Sequence, residues 1–376
     1  MVSSLGFGCM RLPMLPDAQG DMTKIDVELS VKLIHHAIEN GVTYFDTAYT
    51  YHSNNPQIPG ESEPLLARAL RGGYREKVKI ATKLPSWLIN SREDMDKYLN
   101  HQLERLETDH IDFYLIHNVQ QDRWANLMKL GITDFLDSAL KDGRIKHAGF
   151  SFHDTAPFFK EVVDAYDWSF CQIMYNYLDE SFQAGTEGLD YAHSKGLGIA
   201  IMEPLRGGML AGKLPPKAKE AFDETGIERT PAAWALKWLW NNPKISVVLS
   251  GMNAMSQLEE NIRTATETEA NSMPAEELAA VDRAKTAIKS GYKIGCTQCH
   301  YCSCPVGVEI PTCFTIYNNF YLYGEDQSYK RMYGAMLSDA GRRASSCIEC
   351  GTCESHCPQQ IAIPEELKKV RQLFEG

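Results

Sequence analysis

Eight short apolar runs recur through the first 290 residues, each followed by a segment with helical spacing. They are "LGFGCM" near 5, "TYFDTA" near 43, "VKIATK" near 78, "IDFYLIH" near 111, "IKHAGFS" near 145, "SFCQIMYN" near 169, "LGIAIME" near 197 and "ISVVLSG" near 245. Between them, "DVELSVKLIHHAIEN" carries Val27, Val31, Ile34 and Ile38 at helical intervals and stops before Gly41. "SREDMDKYLNHQLERL" opens with Ser91 as an N-cap and places acids in its first turn. Strands buried on both faces read as continuous apolar runs, and a strand–helix unit repeated this often predicts a parallel (β/α)8 TIM barrel. The competing architecture is an open doubly wound sheet, but no G-x-G-x-x-G follows the first run.

Barrels of this kind carry their chemistry at the C-terminal ends of the strands. Asp46, Lys83 and His117 close the second, third and fourth runs. Ser151 and His153 follow the fifth, Gln172 and Asn176 lie at the sixth, and Glu203 ends the seventh. Any one of them is explained by a solvated barrel rim. An Asp, a Lys and a His on consecutive strand ends instead point to a site.

Beyond residue 290 the composition changes: nine of the eleven cysteines lie there, leaving only Cys9 and Cys171 upstream. "CIECGTCESHCP" spaces Cys347, Cys350, Cys353 and Cys357 as C-x2-C-x2-C-x3-C-P. "CTQCHYCSCP" places Cys296, Cys299, Cys302 and Cys304 before a second proline. Short loops of this kind turn several thiolates toward one [4Fe-4S] cube, and two runs predict a two-cluster, ferredoxin-like module. In such modules the fourth cysteine of each run serves the other cluster. Cys296, Cys299, Cys302 and Cys357 would then hold one cube, and Cys347, Cys350, Cys353 and Cys304 the second. Only Ser303 separates Cys302 from Cys304, which favours dividing that pair between cubes. Cys313 is a spare thiol that reads as a small buried residue. Zinc would use two C-x2-C pairs per site and has no need of the longer repeat. "GVEIP" and "IAIP" follow the two prolines as an internal repeat, and "FTIYNNFYLYG" and "PEELKKVRQLF" have helical character, with Pro364 suited to a first helical position. The expected domains are a barrel over 1–290 and a small, mainly helical iron–sulfur domain over 291–376.

At a formal net charge of −11 the chain lacks the concentrated Lys and Arg that nucleic acid requires. No run approaches a membrane span, and the N-terminus lacks the pattern of a signal peptide. Metal-bound thiols in reduced form suit the cytoplasm.

"YFDTAYTYH", "IATKLP" and "DFYLIHN", followed by "GFSFHD", "QIMYNYLDE", "IMEPLRGG" and "QLEENI", resemble the aldo/keto reductases. With the cysteine tail, the chain is similar to the branch bearing a C-terminal ferredoxin-like domain. The resemblance implies a catalytic tetrad of Asp46, Tyr51, Lys83 and His117. A phenol is too weak an acid to protonate a carbonyl oxygen readily at neutral pH, and a neighbouring ammonium stabilises its anion. Tyr51 would be the general acid, Lys83 its activator, Asp46 the partner of Lys83, and His117 a donor to the substrate oxygen. Tyr49 is a rival phenol only if the second strand continues. The family pattern, which places its tyrosine five residues after the aspartate, favours Tyr51.

The resemblance also implies an extended nicotinamide dinucleotide. Ser151 and Gln172 would hold the carboxamide; Leu205, Arg206 and Gly207 would lie near the pyrophosphate; Glu260 and Asn261 would face the adenine. Two positions depart from the pattern. Met202 stands where many members stack an aromatic ring, and "SGMNAMSQ" offers no base for a 2′-phosphate, so NADH is expected to serve as readily as NADPH. The loop "HSNNPQIPG" after Tyr51 is either a shaper of substrate access or a tolerated insertion. The expected function is an oxidoreductase acting on a small carbonyl or alcohol substrate, coupled to one-electron transfer through two [4Fe-4S] clusters. Hydride chemistry moves two electrons and a cluster one, so an external electron carrier and a flavin enter as expectations. The alternative is an electron-transfer protein whose barrel is a docking scaffold without nicotinamide.

Overall fold

The computed structural model describes residues 2–323, 325 and 327–376; Met1, Gly324 and Asp326 lie outside the described residues. Two compact units divide the chain: Met1–Pro204 with Ala235–Ser272, and Leu205–Trp234 with Met273–Gly376.

The first unit contains a closed barrel of eight parallel strands in chain order. The strands are β1 (Leu5–Gly8), β2 (Tyr44–Asp46), β3 (Lys79–Leu84), β4 (Ile111–Val119), β5 (Ile145–Phe152), β6 (Phe170–Met174), β7 (Gly198–Met202) and β8 (Val247–Ser250). Each coincides with one of the eight apolar runs. The helices that follow them are α1 (Val27–Glu39), α2 (Ser62–Ala69), α3 (Arg92–Arg105), α4 (Gln121–Lys129), α5 (Ile132–Lys141), α6 (Ala156–Asp164) and α7 (Gly185–Ser194). Then come α8 (Pro216–Asp223), α9 (Pro231–Trp240), α10 (Met255–Thr266) and α11 (Ala275–Gly291).

Local chemistry sets the helix starts. Asp26 caps α1 by accepting from the Leu29 amide. Ser91 caps α3 in a reciprocal box with Asp94, each side chain accepting from the other's backbone N–H. Inside the barrel, Tyr44, Ala81, Leu115, Phe170, Ala200, Val247 and Leu249 pack together. A Cβ at Gly149 would collide with the ring of Phe170, so glycine on β5 makes room for an aromatic on β6. Ser151, expected just past the fifth strand, lies within β5 and pairs with Gln172 of β6.

The second unit holds α8 and α11 packed together, then α12 (Ile310–Leu322), α13 (Ser328–Met336) and α14 (Ile363–Phe374). Both α12 and α14 begin with Ile-Pro, as the repeat implied. Pro364 is the second helical residue rather than the first. It still falls in the opening turn, where no intrahelical N–H is needed. The core joins Ile310, Phe314 and Ile316 of α12 to Ile363, Leu367 and Val370 of α14. Cys313 is fully buried there, with its thiol 3.9 Å from the Tyr333 hydroxyl.

Buried Asn318 fixes the segment after α11. Its Oδ1 accepts from the amides of Lys293 and Ile294 at 3.1 and 2.8 Å, and its Nδ2 donates to the Ile294 carbonyl at 2.8 Å. Asn318→Ala leaves the buried Ile294 amide unpartnered, while the Ile294 carbonyl keeps the Cys296 amide at 2.8 Å. It is expected to lower the stability of the second unit by about 2 kcal/mol, read as a lower urea midpoint for that unit. An unchanged midpoint would show that the segment takes no support from Asn318.

Candidate active site and candidate metal centre

β2 stops at Asp46, and the chain turns, with the Tyr51 amide donating to the Ala48 carbonyl. The turn separates the two phenols. Tyr49 points to α3, where its hydroxyl lies 3.2 Å from His101 Nδ1 and its ring meets Tyr98 edge-on. Tyr51 turns inward. Lys83 Nζ lies 2.8 Å from the Asp46 carboxylate, 2.8 Å from the Thr47 carbonyl and 3.2 Å from the Tyr51 hydroxyl. The His117 ring meets Tyr51 edge-on, with centroids 5.9 Å apart. All four side chains are buried. The Asp, Tyr, Lys and His named from sequence therefore share one place.

Burial sets the electrostatics. It lifts the Asp46 carboxyl above its ordinary value and lowers the Lys83 ammonium, and the contact between them opposes both shifts. Burial, reinforced by the charge of Lys83, holds His117 well below the usual imidazole range, so its ring is neutral at pH 7. A neutral imidazole can donate one hydrogen bond without bringing a second cation to the site.

A bulge re-aims the end of β4. The register with β5 shifts between Ile116 and Val119, and Asn118 takes a left-handed conformation at φ 54°. The Asn118 amide donates to Ser151 Oγ at 2.8 Å, leaving the hydroxyl hydrogen of Ser151 for another acceptor. Gln172 donates to the Met202 sulfur at 3.6 Å, and its buried Oε1 has no partner. A free acceptor beside a free hydroxyl fits a carboxamide. Asn261 donates to Ser250 Oγ at 3.0 Å on α10, beside half-buried Glu260. Leu205, Arg206 and Gly207 belong to the second unit, where the Arg206 guanidinium stacks 4.3 Å over the Tyr292 ring.

Several supporting residues carry no sequence signal. Trp87 lies against His117 at 5.1 Å between centroids, and its indole donates to the Pro56 carbonyl, which ties the loop after Tyr51 to the site. That loop returns beside Tyr51: Gly60 donates to the Tyr49 carbonyl and Ser62 to that of Tyr51. A Cβ at Gly60 would strike the Tyr51 carbonyl. Behind them, fully buried Glu63 accepts from Thr82, Gln102 and Arg105 at 2.7, 2.8 and 2.9 Å. Arg105 also donates to the Gly60 carbonyl, and Gln102 to that of Lys83. One network thus braces the chain on both sides of the Lys83–Tyr51 contact.

In the second unit, Cys296, Cys299, Cys302 and Cys357 line one cavity with Ile310, Pro311, Phe314 and Ile363. Burial pushes the Cys302 thiol up to about 12, with Cys296 and Cys357 adding to the shift. Burial likewise pushes Cys353 up to about 11, with Cys304 and Cys347 among the added causes. Cys350 is exposed, its sulfur 3.4 Å from the Thr352 hydroxyl. Thiols of the two runs thus lie near one another, with Cys353 also acting on Cys302. Among the described residues no three His, Cys, Asp or Glu side chains are close enough to hold a single ion. A cubane distributes its thiolates over several irons, and the four thiols of this cavity with their apolar lining fit that group.

A (β/α)8 barrel joined to a cysteine-rich helical module defines an iron–sulfur oxidoreductase. The model of the aldo/keto reductase family matches residues 4–285, so the chain belongs to that family, and that of a 4Fe-4S dicluster domain matches 295–362. L-galactose dehydrogenase of Arabidopsis thaliana is 26% identical over 310 residues, covering 77% of this chain and 92% of its own. 6-Dehydroglucose reductase of Novosphingobium aromaticivorans is 28% identical over 279 residues, covering 69% and 85%. A solved aldo-keto reductase from Bacillus halodurans, in its holo form, shares the fold with a TM-score of 0.58. It is 21% identical, over 75% of this chain and 92% of that one. No helix among the described residues is long and apolar enough to cross a membrane.

Burial also lowers His153 from 6.5 to about 4, with Arg123 adding to the shift. A histidine that protonates less readily when folded favours the unfolded chain in acid. Stability is whole above pH 6.5 and is lost as pH falls toward 4. His153→Gln is expected to remove about 3 kcal/mol of that acid loss, read from urea midpoints of the barrel between pH 7 and 4. Equal slopes in both proteins would contradict the burial argument.

Proposed function

We propose that the chain reduces the carbonyl group of a small molecule, or oxidises the corresponding alcohol, with Asp46, Tyr51, Lys83 and His117 as its acid–base group. One observation carries this reading: a single buried ammonium, Lys83, touches both the Asp46 carboxylate and the Tyr51 hydroxyl. A nicotinamide dinucleotide supplies the hydride when bound, and the chain manages the proton. Tyr51 gives its proton to the substrate oxygen in reduction and recovers it in oxidation. Lys83 stabilises the phenolate left behind, Asp46 keeps Lys83 charged, and neutral His117 donates to the same oxygen and sets its angle. Ser151 and Gln172 would receive the carboxamide, Leu205, Arg206 and Gly207 the pyrophosphate, and Glu260 and Asn261 the adenine. With no base between Ser250 and Gln257, NADH would serve as readily as NADPH.

The functional boundary in this reading falls between 290 and 291. Cys296, Cys299, Cys302 and Cys357 would hold one [4Fe-4S] cluster, and Cys304, Cys347, Cys350 and Cys353 the other. The clusters supply one-electron transfer when bound. An external electron carrier, with a flavin to divide the electron pair, completes the reading in a reducing cytoplasm.

Tyr51→Phe removes only the proton donor. It is expected to lower kcat for carbonyl reduction by about a hundredfold or more while leaving KM nearly unchanged. Unchanged turnover would favour the electron-transfer alternative, in which the barrel is a scaffold. Anaerobically purified protein is expected to contain about eight irons and eight sulfides per chain. A count near four, or zinc in place of iron, would remove the two-cluster assignment.

A further inference from the structure

Among the charged groups around His117, one arginine has no counterion. Arg123 stands in the first turn of α4, directly after β4, the strand that presents His117. Its guanidinium lies 5.7 Å over the ring of Trp87, and Trp87 in turn lies against His117. Its one side-chain hydrogen bond runs from Nη1 to the Asn118 carbonyl at a long 3.3 Å. Among the described residues no carboxylate lies within ion-pair distance of it. The exposed Asp122 acts on it only at longer range, its carboxylate accepting from the Arg123 backbone amide.

Several other arginines of the barrel unit are paired. Arg75 pairs with Asp112, Arg92 with Asp96, Arg105 with Glu63, and Arg144 with Asp96 and Asp142. Arg123 is only partly exposed, and burial lowers its guanidinium below the ordinary value. Its charge reaches inward, adding to the downward shifts of both His117 and His153. Lys83 is matched by Asp46, and both histidines are held neutral. The uncompensated charge beside His117 is therefore the single positive charge of Arg123. A partly desolvated cation without a counterion is unfavourable, and a guanidinium with free donors matches a carboxylate in a bidentate manner.

We propose that Arg123 is a substrate-binding residue and that the carbonyl substrate carries a carboxylate: an oxo acid reduced to the hydroxy acid, or the reverse. The carbonyl lies at Tyr51 and His117, the carbon frame passes along Trp87, and the carboxylate meets Arg123. This rests on the carbonyl chemistry proposed above. Arg123 takes no part in the proton transfer; it selects and orients the acid.

The test separates binding from turnover. Two oxo acids of different length, 4-oxobutanoate and 4-formylbenzoate, are titrated by calorimetry into the full chain, each beside its uncharged methyl ester. The acids are expected to bind about tenfold or more tighter than their esters. Arg123→Met is expected to bring acid and ester to equal affinity without weakening the ester, and Arg123→Lys to retain part of the preference. Tyr51→Phe should keep the acid preference while losing turnover. Failure of the acid–base reading would therefore leave the binding result standing. Equal binding of acid and ester by the unaltered protein, absence of acid binding, or a preference that survives Arg123→Met would each overturn the proposal.

Discussion

The ion pair between Lys83 and Asp46 is the interaction on which the rest of the site depends. Two opposite charges are held 2.8 Å apart at the mouth of a barrel, with the lysine fully buried. Removing either partner leaves an uncompensated charge, so the pair makes its demand on the barrel as a unit. The barrel answers through geometry. β2 ends at Asp46 and β3 carries Lys83 as its penultimate residue, so neighbouring parallel strands bring the two groups together. The third contact of the ammonium goes to the Thr47 carbonyl, just past the end of β2. Nothing flexible separates the charges, and the Tyr51 hydroxyl is added from a turn that the same lysine helps to hold.

Two devices beyond the strands make that arrangement specific. The Glu63 network reaches the Gly60 carbonyl through Arg105 and the Lys83 carbonyl through Gln102, so α2 and α3 hold both sides of the contact from behind. The bulge at His117 and Asn118 breaks the β4–β5 ladder just where the imidazole must turn inward, and Ser151 takes up the freed amide. Each device satisfies buried polar groups that the barrel alone would leave open.

The eight strands were legible because a parallel barrel buries both faces of each strand, which leaves uninterrupted apolar runs. Asp46, Lys83 and His117 were legible because strand ends in such a barrel face one mouth. The choice of Tyr51 over Tyr49 was legible only through family spacing; its physical cause is the turn after Asp46, which no periodicity reveals. Trp87, Arg123 and the Glu63 network were not legible. Their roles come from contacts between segments distant in sequence, and an arginine without a counterion looks the same in a sequence as one with a partner. The cysteine runs were legible from spacing, because short repeats on a loop bring several thiols to one place.

The cavity lined by Cys296, Cys299, Cys302 and Cys357 draws its walls from residues 296–302, the start of α12 and residues 357–363 beyond α13. Its consequence concerns the order of biosynthesis. While the chain is being made, the first three thiols emerge well before the fourth; of the apolar residues that close the cavity, Ile310 emerges within that interval and Ile363 only after Cys357. The early thiols therefore precede the residues that complete their cavity. Completion of that cavity waits on translation of the second run.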